Sequence, residues 1–435
     1  MKNFLKRWVP RPVISILRYI KSLPAQIHEQ YLIRTQPRLY KLAVAHLRKK
    51  EGPINVVFFA IFKSVWKYDG IYRLMEADKR FYPIVLVCPV VNNGRDFMLE
   101  TLHDCYSDFK ERGYHVICAY DKTKDCYIDV KSLSPDIIFY TNPYHGLIDD
   151  RYYITNFRDT LTCYVSYHFG NSSNYSVFND SLLQNLAWRL FAESDIHKHF
   201  YQKFTRGKGK NVVVSGYPGV DDLIRNSPQN TAIWKIKDPS VKRIIWAPHH
   251  SFDGDCPVHY STFLRYSRFM IDIAVKYKGK IQIAFKPHPL LKVKLNQYWG
   301  IERTTEYYKQ WELLENGLLF EDEYTDLFLT SDAIMHDCGS FIAEYLYTRK
   351  PALRIDGAPN SVEEFNPFAQ QCLSMYYHAN CEEQIEQFIR DIIENNDPMK
   401  NKRDDFYNRV LLPPNGITAS ENIVNYLKKE LLEIV

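Results

Sequence analysis

From residue 53 onward, short apolar runs alternate with longer segments that have helical periodicity. In the first part of the chain this pattern predicts five strands and, between them, helical stretches such as 96–112. Alternation of strands and helices is typical of an α/β domain built on a mainly parallel sheet. The predicted strands lie at 55–62, 82–91, 114–120, 136–140 and 161–167.

The same pattern continues to the end of the chain. A helical stretch at 182–205 and a strand at 211–215 precede the turn Gly216-Tyr217-Pro218-Gly219, and residues 226–242 have the composition of a linker. The second series has predicted strands at 243–247, 281–286, 318–320, 333–336 and 351–355, and predicted helices at 260–278, 324–330, 340–348, 382–394 and 419–433. We therefore expect two Rossmann-like domains, 51–225 and 243–435, that face each other across a cleft.

Residues 1–50 differ from the rest of the chain in charge. They contain 12 Lys and Arg and one acid, Glu29, whereas the remaining residues are slightly acidic. Apolar residues recur here at spacings of three and four: Phe4, Leu5, Trp8, Val13, Ile14, Leu17 and Ile20. The pattern predicts short amphipathic helices on an anionic membrane surface. The alternative is an ordinary helix packed on the body with a solvated basic face.

Composition limits the possible location and partners. A basic arm on a slightly acidic body favours lipid headgroups over nucleic acid. No apolar run approaches the roughly 20 residues that span a bilayer, and the N-terminus lacks the pattern of a secretory signal. Nine scattered cysteines without a CxxC pair indicate reduced thiols. We expect a peripheral protein on the cytoplasmic face of the membrane.

Open α/β sheets bind ligands beyond the carboxyl ends of their strands, and four polar segments follow predicted strands. One of them, Asp337-Cys338-Gly339-Ser340, leads into a helix that carries Glu344 one turn later. Free backbone N–H groups at a helix start suit a phosphate, and Glu344 and Asp337 could accept hydrogen bonds from a ribose. The alternative is a Ser N-cap followed by an ordinary acid.

Histidines occur in the other three segments. In Lys286-Pro287-His288-Pro289 two prolines stiffen a loop whose Lys and His could neutralise a diphosphate. His168 follows the last strand of the first series and could remove a proton from an acceptor hydroxyl. For both histidines an ordinary structural role is the alternative.

The fourth segment, Trp246-Ala247-Pro248-His249-His250, opens a stretch rich in possible metal ligands. Asp253, Asp255, Cys256 and His259 follow within a few residues. Because this spacing matches no standard zinc pattern, we predict no metal and no other cofactor. We expect His249 and His250 instead to line the pocket that binds a donor substrate.

Taken in order, these segments resemble the CDP-glycerol glycerophosphotransferases of teichoic-acid and capsule synthesis, over roughly residues 55–360. The matching segments are His168, Gly216-Tyr217-Pro218 with Asp221 or Asp222, Ala247-Pro248, His288-Pro289, Asp337-Cys338-Gly339-Ser340 with Glu344, and Lys350-Pro351. Three positions depart from the family pattern: Phe169 separates His168 from Gly170, His249-His250 replace Thr-Trp, and Gly339 replaces a Ser.

The resemblance implies a GT-B-like fold and a transferase. A CDP-activated alditol would bind near His288, Gly339 and Ser340, with Gly216, Tyr217 and Asp221 lining the cleft. His168 would activate a hydroxyl of a lipid-linked glycan or polymer acceptor, and CMP would leave. Two alternatives stay open at this point: a GT-B glycosyltransferase that uses a nucleotide sugar, and an inactive scaffold of a polymer-assembly complex.

Overall fold

The structure is a computed structural model that describes residues 11–228, 230, 232–252, 260–357 and 364–432, with side chains from residue 23 onward. The predicted ligand types Asp253, Asp255, Cys256 and His259, and the apolar residues Phe4, Leu5 and Trp8, lie outside the described residues. The side chains of Val13, Ile14, Leu17 and Ile20 also lie outside them.

The first part of the chain forms a seven-stranded parallel sheet in the order β3-β2-β1-β6-β7-β8-β9. Its central strands are apolar on both faces, as expected for a parallel sheet covered by helices. A small antiparallel pair, β4 with β5, stands beside it. The strands are β1 Ile54–Ala60, β2 Phe81–Val87, β3 Val116–Cys118, β4 Tyr120–Asp121, β5 Cys126–Tyr127, β6 Ile137–Tyr140, β7 Leu161–Val165, β8 Arg189–Ala192 and β9 Val212–Val214.

The second part forms a six-stranded parallel sheet in the order β12-β11-β10-β13-β14-β15. Both sheets reverse their strand order beside a central strand, β1 or β10, which is the arrangement of doubly wound folds. The strands are β10 Lys242–Ala247, β11 Ile281–Phe285, β12 Gly317–Leu319, β13 Ala333–His336, β14 Ala352–Ile355 and β15 Tyr377–Ala379.

Sixteen α-helices are described, and most of them connect successive strands or cover the faces of the two sheets. They are α1 Arg11–Leu47, α2 Asp69–Glu76, α3 Arg95–Glu111, α4 Tyr175–Phe178, α5 Leu182–Leu186, α6 Asp195–Phe204, α7 Asp221–Arg225, α8 Phe263–Lys276, α9 Pro289–Trp299, α10 Ile301–Leu313, α11 Thr325–Thr330, α12 Phe341–Glu344, α13 Pro367–Leu373, α14 Glu382–Ile393, α15 Lys400–Phe406 and α16 Ala419–Leu432. Within the described part of the chain, no helix has both the length and the apolar character needed to span a bilayer.

One predicted helix was wrong. The stretch 182–205 contains two helices, α5 and α6, separated by strand β8. Strand β8 is only four residues long, and Leu190, Phe191 and Ala192 are all buried between β7 and β9. A run this short has too few residues to show whether its period is two or 3.6, so flanking helical periodicity concealed it.

The basic N-terminal segment is one long helix, α1, and from residue 23 its side chains show that it packs on the first sheet domain. Tyr40 donates a hydrogen bond to the carbonyl of Leu186 (2.8 Å), and Gln36 donates one to the carbonyl of Arg158 (2.7 Å). Leu32 and Leu47 are buried as well. These contacts favour the packed-helix alternative for residues 23–47.

The last helix returns to the first sheet domain. In α16, Ile423, Val424, Leu427 and Leu431 are buried in the same core as Ile71 and Met75 of α2. The chain therefore crosses between the two sheets twice. The sequence predicted that residues 243–435 belong to the second domain throughout and did not predict that α16 packs on the first.

Candidate functional site

The His168 loop, residues 166–173, begins where β7 ends, and hydrogen bonds fix the ring of its histidine. Nδ1 of His168 lies 2.6 Å from the carbonyl oxygen of Phe169. Because a carbonyl can only accept, Nδ1 carries the proton and Nε2 of the neutral ring is left as an acceptor. Among the described residues, Nε2 has no hydrogen-bond partner. The half-buried His168 thus has the tautomer of a general base.

Three residues that the sequence did not single out hold the loop from behind. Glu193 follows β8 and accepts a hydrogen bond from the backbone N–H of Gly170 (3.2 Å). His197 on α6 donates Nε2–H to the Gly170 carbonyl (3.2 Å), and Asn366 donates its amide to the same oxygen. His197 is 1% exposed, and burial lowers its pKa. The misread strand β8 concealed Glu193 and His197, and no sequence signal marked Asn366.

The His168 loop also contacts the second sheet domain directly. Asn171 donates Nδ2–H to the carbonyl of Gly339 (3.0 Å) and accepts a backbone bond from Asn366 (2.8 Å). Ser172 forms an antiparallel bridge with Phe365, and the N–H of Ser173 donates to Glu364 (2.9 Å). The two predicted site segments at 168–173 and 337–340 are therefore brought together.

Three histidines of the second domain form one cluster beyond β10 and β11. The ring centroid of His288 lies 4.2 Å from that of His250 and 4.9 Å from that of His249, and His249 and His250 are 4.2 Å apart. Burial, with a smaller effect of the neighbouring imidazoles, lowers the pKa of His249 to about 3 and the pKa of His288 to about 4. Both rings are neutral near pH 7.

Backbone donors fix the tautomer of two of these rings. Nδ1 of His249 lies 2.7 Å from the hydroxyl of Ser251 and accepts from the N–H of Ser251 (3.3 Å), and the N–H of Leu290 donates to Nδ1 of His288 (3.1 Å). His288 is thereby the N-cap of α9. Since each Nδ1 is an acceptor, each Nε2 of the neutral ring carries a hydrogen and donates. Paired N–H donors suit the oxygens of a phosphate.

The same geometry bears on metal binding. Among the described residues, ligand atoms of His249, His250 and His288 lie within 4.8 Å of one another. A metal-bound imidazole normally donates a hydrogen from its other nitrogen, whereas the Nδ1 atoms of His249 and His288 accept one. The hydrogen bonds therefore favour an anion over a cation at this cluster.

Asp337 is buried beneath the cluster. Its carboxylate accepts hydrogen bonds from the N–H of His249 (2.6 Å) and from both the N–H and the hydroxyl of Thr262 (2.6 and 2.8 Å). Burial raises its pKa. These contacts tie the His249 loop to the start of α8. They differ from the predicted contact with a ribose, because both oxygens are already occupied by protein donors.

Three other predicted donor residues differ in their exposure. Ser340 is exposed immediately before the short helix α12, and its hydroxyl makes no capping bond. Glu344, at the end of α12, is buried and accepts from Tyr324 (2.5 Å), and burial raises its pKa. Lys286 donates to the carbonyl of Asp322 (2.8 Å), and burial lowers its pKa. Of the three, Ser340 alone is presented to solvent.

The predicted cleft residues Gly216, Tyr217 and Asp221 have a supporting role instead. The hydroxyl of Tyr217 donates to the carbonyl of Tyr167 (2.9 Å), and its ring is fully buried against Phe169. Asp221 accepts from the N–H groups of Ala419 and Ser420 (2.9 and 3.1 Å) and so caps α16. Gly216 has a φ of 91°, and a Cβ there would lie 2.7 Å from Pro413.

Arg354 is a further residue that the sequence reading missed. It is 0% exposed in β14 and donates Nη1–H to the carbonyl of Cys338 (2.9 Å), which holds the Cys338-Gly339 segment in place. Its guanidinium lies 5.7 Å from the ring centroid of Tyr260 and 5.4 Å from that of Phe365. An Arg within the apolar strand sequence of β14 is a signal that could have identified it, because a buried charge requires partners.

Comparison with known proteins places the chain in a family. Residues 168–429 match the family described as CDP-glycerol:poly(glycerophosphate) glycerophosphotransferase. The chain belongs to this family. The resemblance inferred from the sequence is thereby confirmed, and the matched region includes all the predicted site residues from His168 to Glu344.

A curated relative and two groups of solved structures are also similar. The teichoic acid ribitol-phosphate polymerase TarL of Staphylococcus aureus is 26% identical over 183 residues, which is 40% of this chain but only 30% of the relative. A variant of the wall teichoic acid polymerase TagF superposes with a TM-score of 0.54 at 13% identity and covers 96% of each chain. UDP-GlcNAc 2-epimerase from Neisseria meningitidis superposes at 0.53 with 15% identity, over 87% of this chain and 100% of that one. These superpositions confirm the GT-B-like α/β fold.

Proposed function

We propose that this protein transfers glycerol phosphate, or a related alditol phosphate, from a CDP-activated donor to a hydroxyl of a membrane-linked cell-surface polymer and releases CMP. Two findings support the proposal. The chain belongs to the glycerophosphotransferase family, and it is similar over part of its length to a ribitol-phosphate polymerase.

The observation that carries the proposal is the opposite tautomers of the site histidines. His168 has its proton on Nδ1 and a free acceptor at Nε2, whereas His249 and His288 accept at Nδ1 and donate from Nε2. Phosphoryl transfer requires one group that removes a proton and others that stabilise negative charge. The three rings match these two requirements.

In the proposed mechanism, Nε2 of His168 takes the proton of the acceptor hydroxyl as its oxygen attacks the distal phosphorus of the donor. A new phosphorus–oxygen bond forms, and the bond between that phosphorus and the bridging oxygen breaks. The bridging oxygen keeps the electron pair and leaves as part of CMP. The Nε2–H groups of His249 and His288 donate to the diphosphate oxygens, where charge develops.

The remaining donor contacts are assigned by position. His250 adds a third imidazole to the diphosphate side of the site, and Ser340 with the N–H groups near Gly339 approaches from the β13 side. Lys286 lies close enough to His288 to lower its pKa and contributes positive charge near the diphosphate. The Glu344 carboxylate is proposed to accept hydrogen bonds from the ribose hydroxyls. In this role it would accept from the ribose and from the Tyr324 hydroxyl at the same time.

The acceptor is proposed to reach the protein from the cytoplasmic face of a membrane. The basic helix α1 lies on the first domain, so that domain would face the anionic lipid surface while the nucleotide donor enters from solvent. In this proposal the first domain presents the acceptor to His168, and the second domain holds the donor.

The test is to identify the nucleotide product. Purified protein is incubated with membranes as acceptor and, separately, with CDP-glycerol, CDP-ribitol and a set of nucleotide sugars, and the products are separated by chromatography. We expect CMP from a CDP-alditol and no product from the sugars. Release of UDP or another nucleoside diphosphate would indicate a glycosyltransferase on the same fold, and donor binding without any product would indicate an inactive scaffold.

A further inference from the structure

A pocket of about 750 Å³ lies between helix α1 and the amino ends of strands β8 and β9. Ligand sites of parallel sheets lie at the carboxyl ends, so this pocket is at the opposite edge of the sheet from His168. Part of its wall is apolar and comes from both sides, with Ile33, Pro37 and Val44 on α1 facing Leu186 and Trp188.

The rest of the lining is strongly basic. Seven cationic side chains line the pocket against one acid, Glu430: Arg34, Lys41, Arg48, Arg189, Arg206, Lys208 and Lys210. Arg206 is neutralised by Glu29 and Asp180, and Arg189 lies 3.7 Å from Glu430. Arg34, Lys41, Lys208 and Lys210 are exposed and form no ion pair with any described residue.

The walls of the pocket are held in place by contacts that do not depend on a ligand. Tyr40 is anchored to Leu186, Gln36 to Arg158, and Arg48 donates Nε–H to the carbonyl of Glu430 (2.9 Å). Both sides of the opening are therefore fixed to the body. A cavity with an apolar wall and unpaired cations fits a molecule that has an apolar part and an anionic group.

The surface beside the pocket supports a membrane location. Ile27, Tyr31 and Leu42 on α1 are 60–68% exposed. With 3.6 residues per turn these three lie within about 60° of one another around the helix, next to the rim residues Arg34 and Lys41. Exposed apolar side chains flanked by cations are typical of a face that contacts an anionic bilayer.

We propose that this pocket binds one anionic phospholipid. Its phosphate would lie at the four unpaired cations, Arg34, Lys41, Lys208 and Lys210, and an acyl chain would lie against the apolar wall. The lipid would hold α1, and with it the first domain, on the membrane at a place separate from the transfer site. This inference does not depend on the transferred group or on any turnover.

The test measures lipid retained by the full chain in detergent, where no bilayer surface is present. Protein is mixed with detergent micelles containing phosphatidylglycerol or phosphatidylcholine, exchanged into plain detergent, and analysed by native mass spectrometry. The pocket variant is Lys208→Gln/Lys210→Gln. The control is Arg38→Gln/Lys49→Gln, which removes the same charge from exposed positions that do not line the pocket.

We expect wild type and the control to retain a single phosphatidylglycerol and to prefer it over phosphatidylcholine. The pocket variant should bind about thirtyfold more weakly, because each basic residue near an anionic lipid contributes about 1 kcal/mol. A filled-pocket variant, Val44→Trp, should lose the lipid with its charge unchanged.

Three results would overturn the proposal. One is a wild type that retains no lipid, and another is equal loss in the pocket and control variants. The third is displacement of the lipid by inorganic phosphate at equal concentration, which would assign the cations to a free anion. A failure of CDP-glycerol turnover would leave all of these measurements unaffected.

Discussion

At the scale of single residues, the chemistry of this site is set by backbone groups that choose the tautomer of each imidazole. A carbonyl beside Nδ1 of His168 and amide N–H groups beside Nδ1 of His249 and His288 produce opposite tautomers from the same side chain. In the proposed mechanism the first tautomer makes His168 a base, and the second makes His249 and His288 neutral hydrogen-bond donors. Two predictions separate these roles.

We expect His168→Gln to lower turnover by about a hundredfold to ten-thousandfold, the usual contribution of a general base. Donor affinity should change by less than about twofold, because the proposed role belongs to the transition state. The measurements are CMP release and the Kd for CDP-glycerol. His199→Gln, at an exposed histidine of the same domain, is the control. Equal losses of affinity and turnover would refute the assignment.

At His288 the structural and binding roles can be separated. Asparagine is among the best N-caps, so His288→Asn should keep the bond to the Leu290 N–H and the melting temperature, but it loses the Nε2–H donor. Donor affinity should fall by about tenfold to a hundredfold, since a hydrogen bond to a charged group contributes about 1.5–3 kcal/mol. His288→Ala should lose stability as well. Normal binding by the Asn variant would place the diphosphate elsewhere.

At the scale of elements, residues predicted to line a cleft turn out to fasten a helix. Asp221 accepts from the first N–H groups of α16, where the helix dipole also favours a negative charge. It does so while buried, and burial raises its pKa to about 6. The contact therefore couples the attachment of the last helix to pH.

The direction in which stability changes with pH follows from proton binding by Asp221. A carboxyl with a higher pKa in the folded than in the unfolded chain binds more protons when folded, so its contribution is largest below about pH 4 and declines as pH rises through about 6. Asp221→Asn removes this decline. Relative to wild type, the variant should gain about 2–3 kcal/mol between pH 4 and pH 6.5 in urea unfolding. Asp222→Asn, at the exposed neighbour, should follow wild type, and a parallel Asp221→Asn curve would contradict the argument.

Sequence periodicity predicted elements well where they were long or apolar throughout. The predicted strand 333–336 coincides with β13, and the predicted helix 382–394 extends one residue beyond α14. It failed at β8, where four residues lie between two helices. Helices α9 and α10 were also not predicted. Residues 286–289 were predicted to form a stiff exposed loop, whereas Lys286 is buried and Pro289 is the first residue of α9.

The candidate site shows a similar division. Strand ends predicted which segments would gather, and the His168 loop does meet Gly339. Sequence could not show whether a polar side chain points to solvent or to its own backbone. Asp337 and Tyr217 therefore entered the predicted site although both are buried in hydrogen bonds to protein groups. Glu193 and His197 were missed because strand β8 was read as helix, and Arg354 was missed although an Arg within an apolar strand sequence is unusual.

At the scale of the whole molecule, the chain ties its two sheets together at both the site and its end. The His168 loop hydrogen-bonds to residues 339 and 364–366 of the second domain. Helix α16 closes the first domain after the second has been completed. The position of His168 relative to the His249 cluster thus depends on segments remote from both.

This arrangement predicts that the first domain cannot be stable without the end of the chain. A chain ending at Ile417 lacks α16 and so loses the burial of Ile423, Val424, Leu427 and Leu431. At about 1.5–3 kcal/mol each, the loss is on the order of 6–12 kcal/mol as an upper estimate. Since whole domains are stable by about 5–15 kcal/mol, the first domain should unfold while the second persists.

Limited proteolysis with mass spectrometry would show unfolding of the first domain as selective cleavage within residues 54–214. A chain ending at Leu432 is the control. The truncation also removes the N–H groups of Ala419 and Ser420 that donate to the Asp221 carboxylate. A truncated protein that melts within a few degrees of the control would mean that α16 merely covers a core already complete without it.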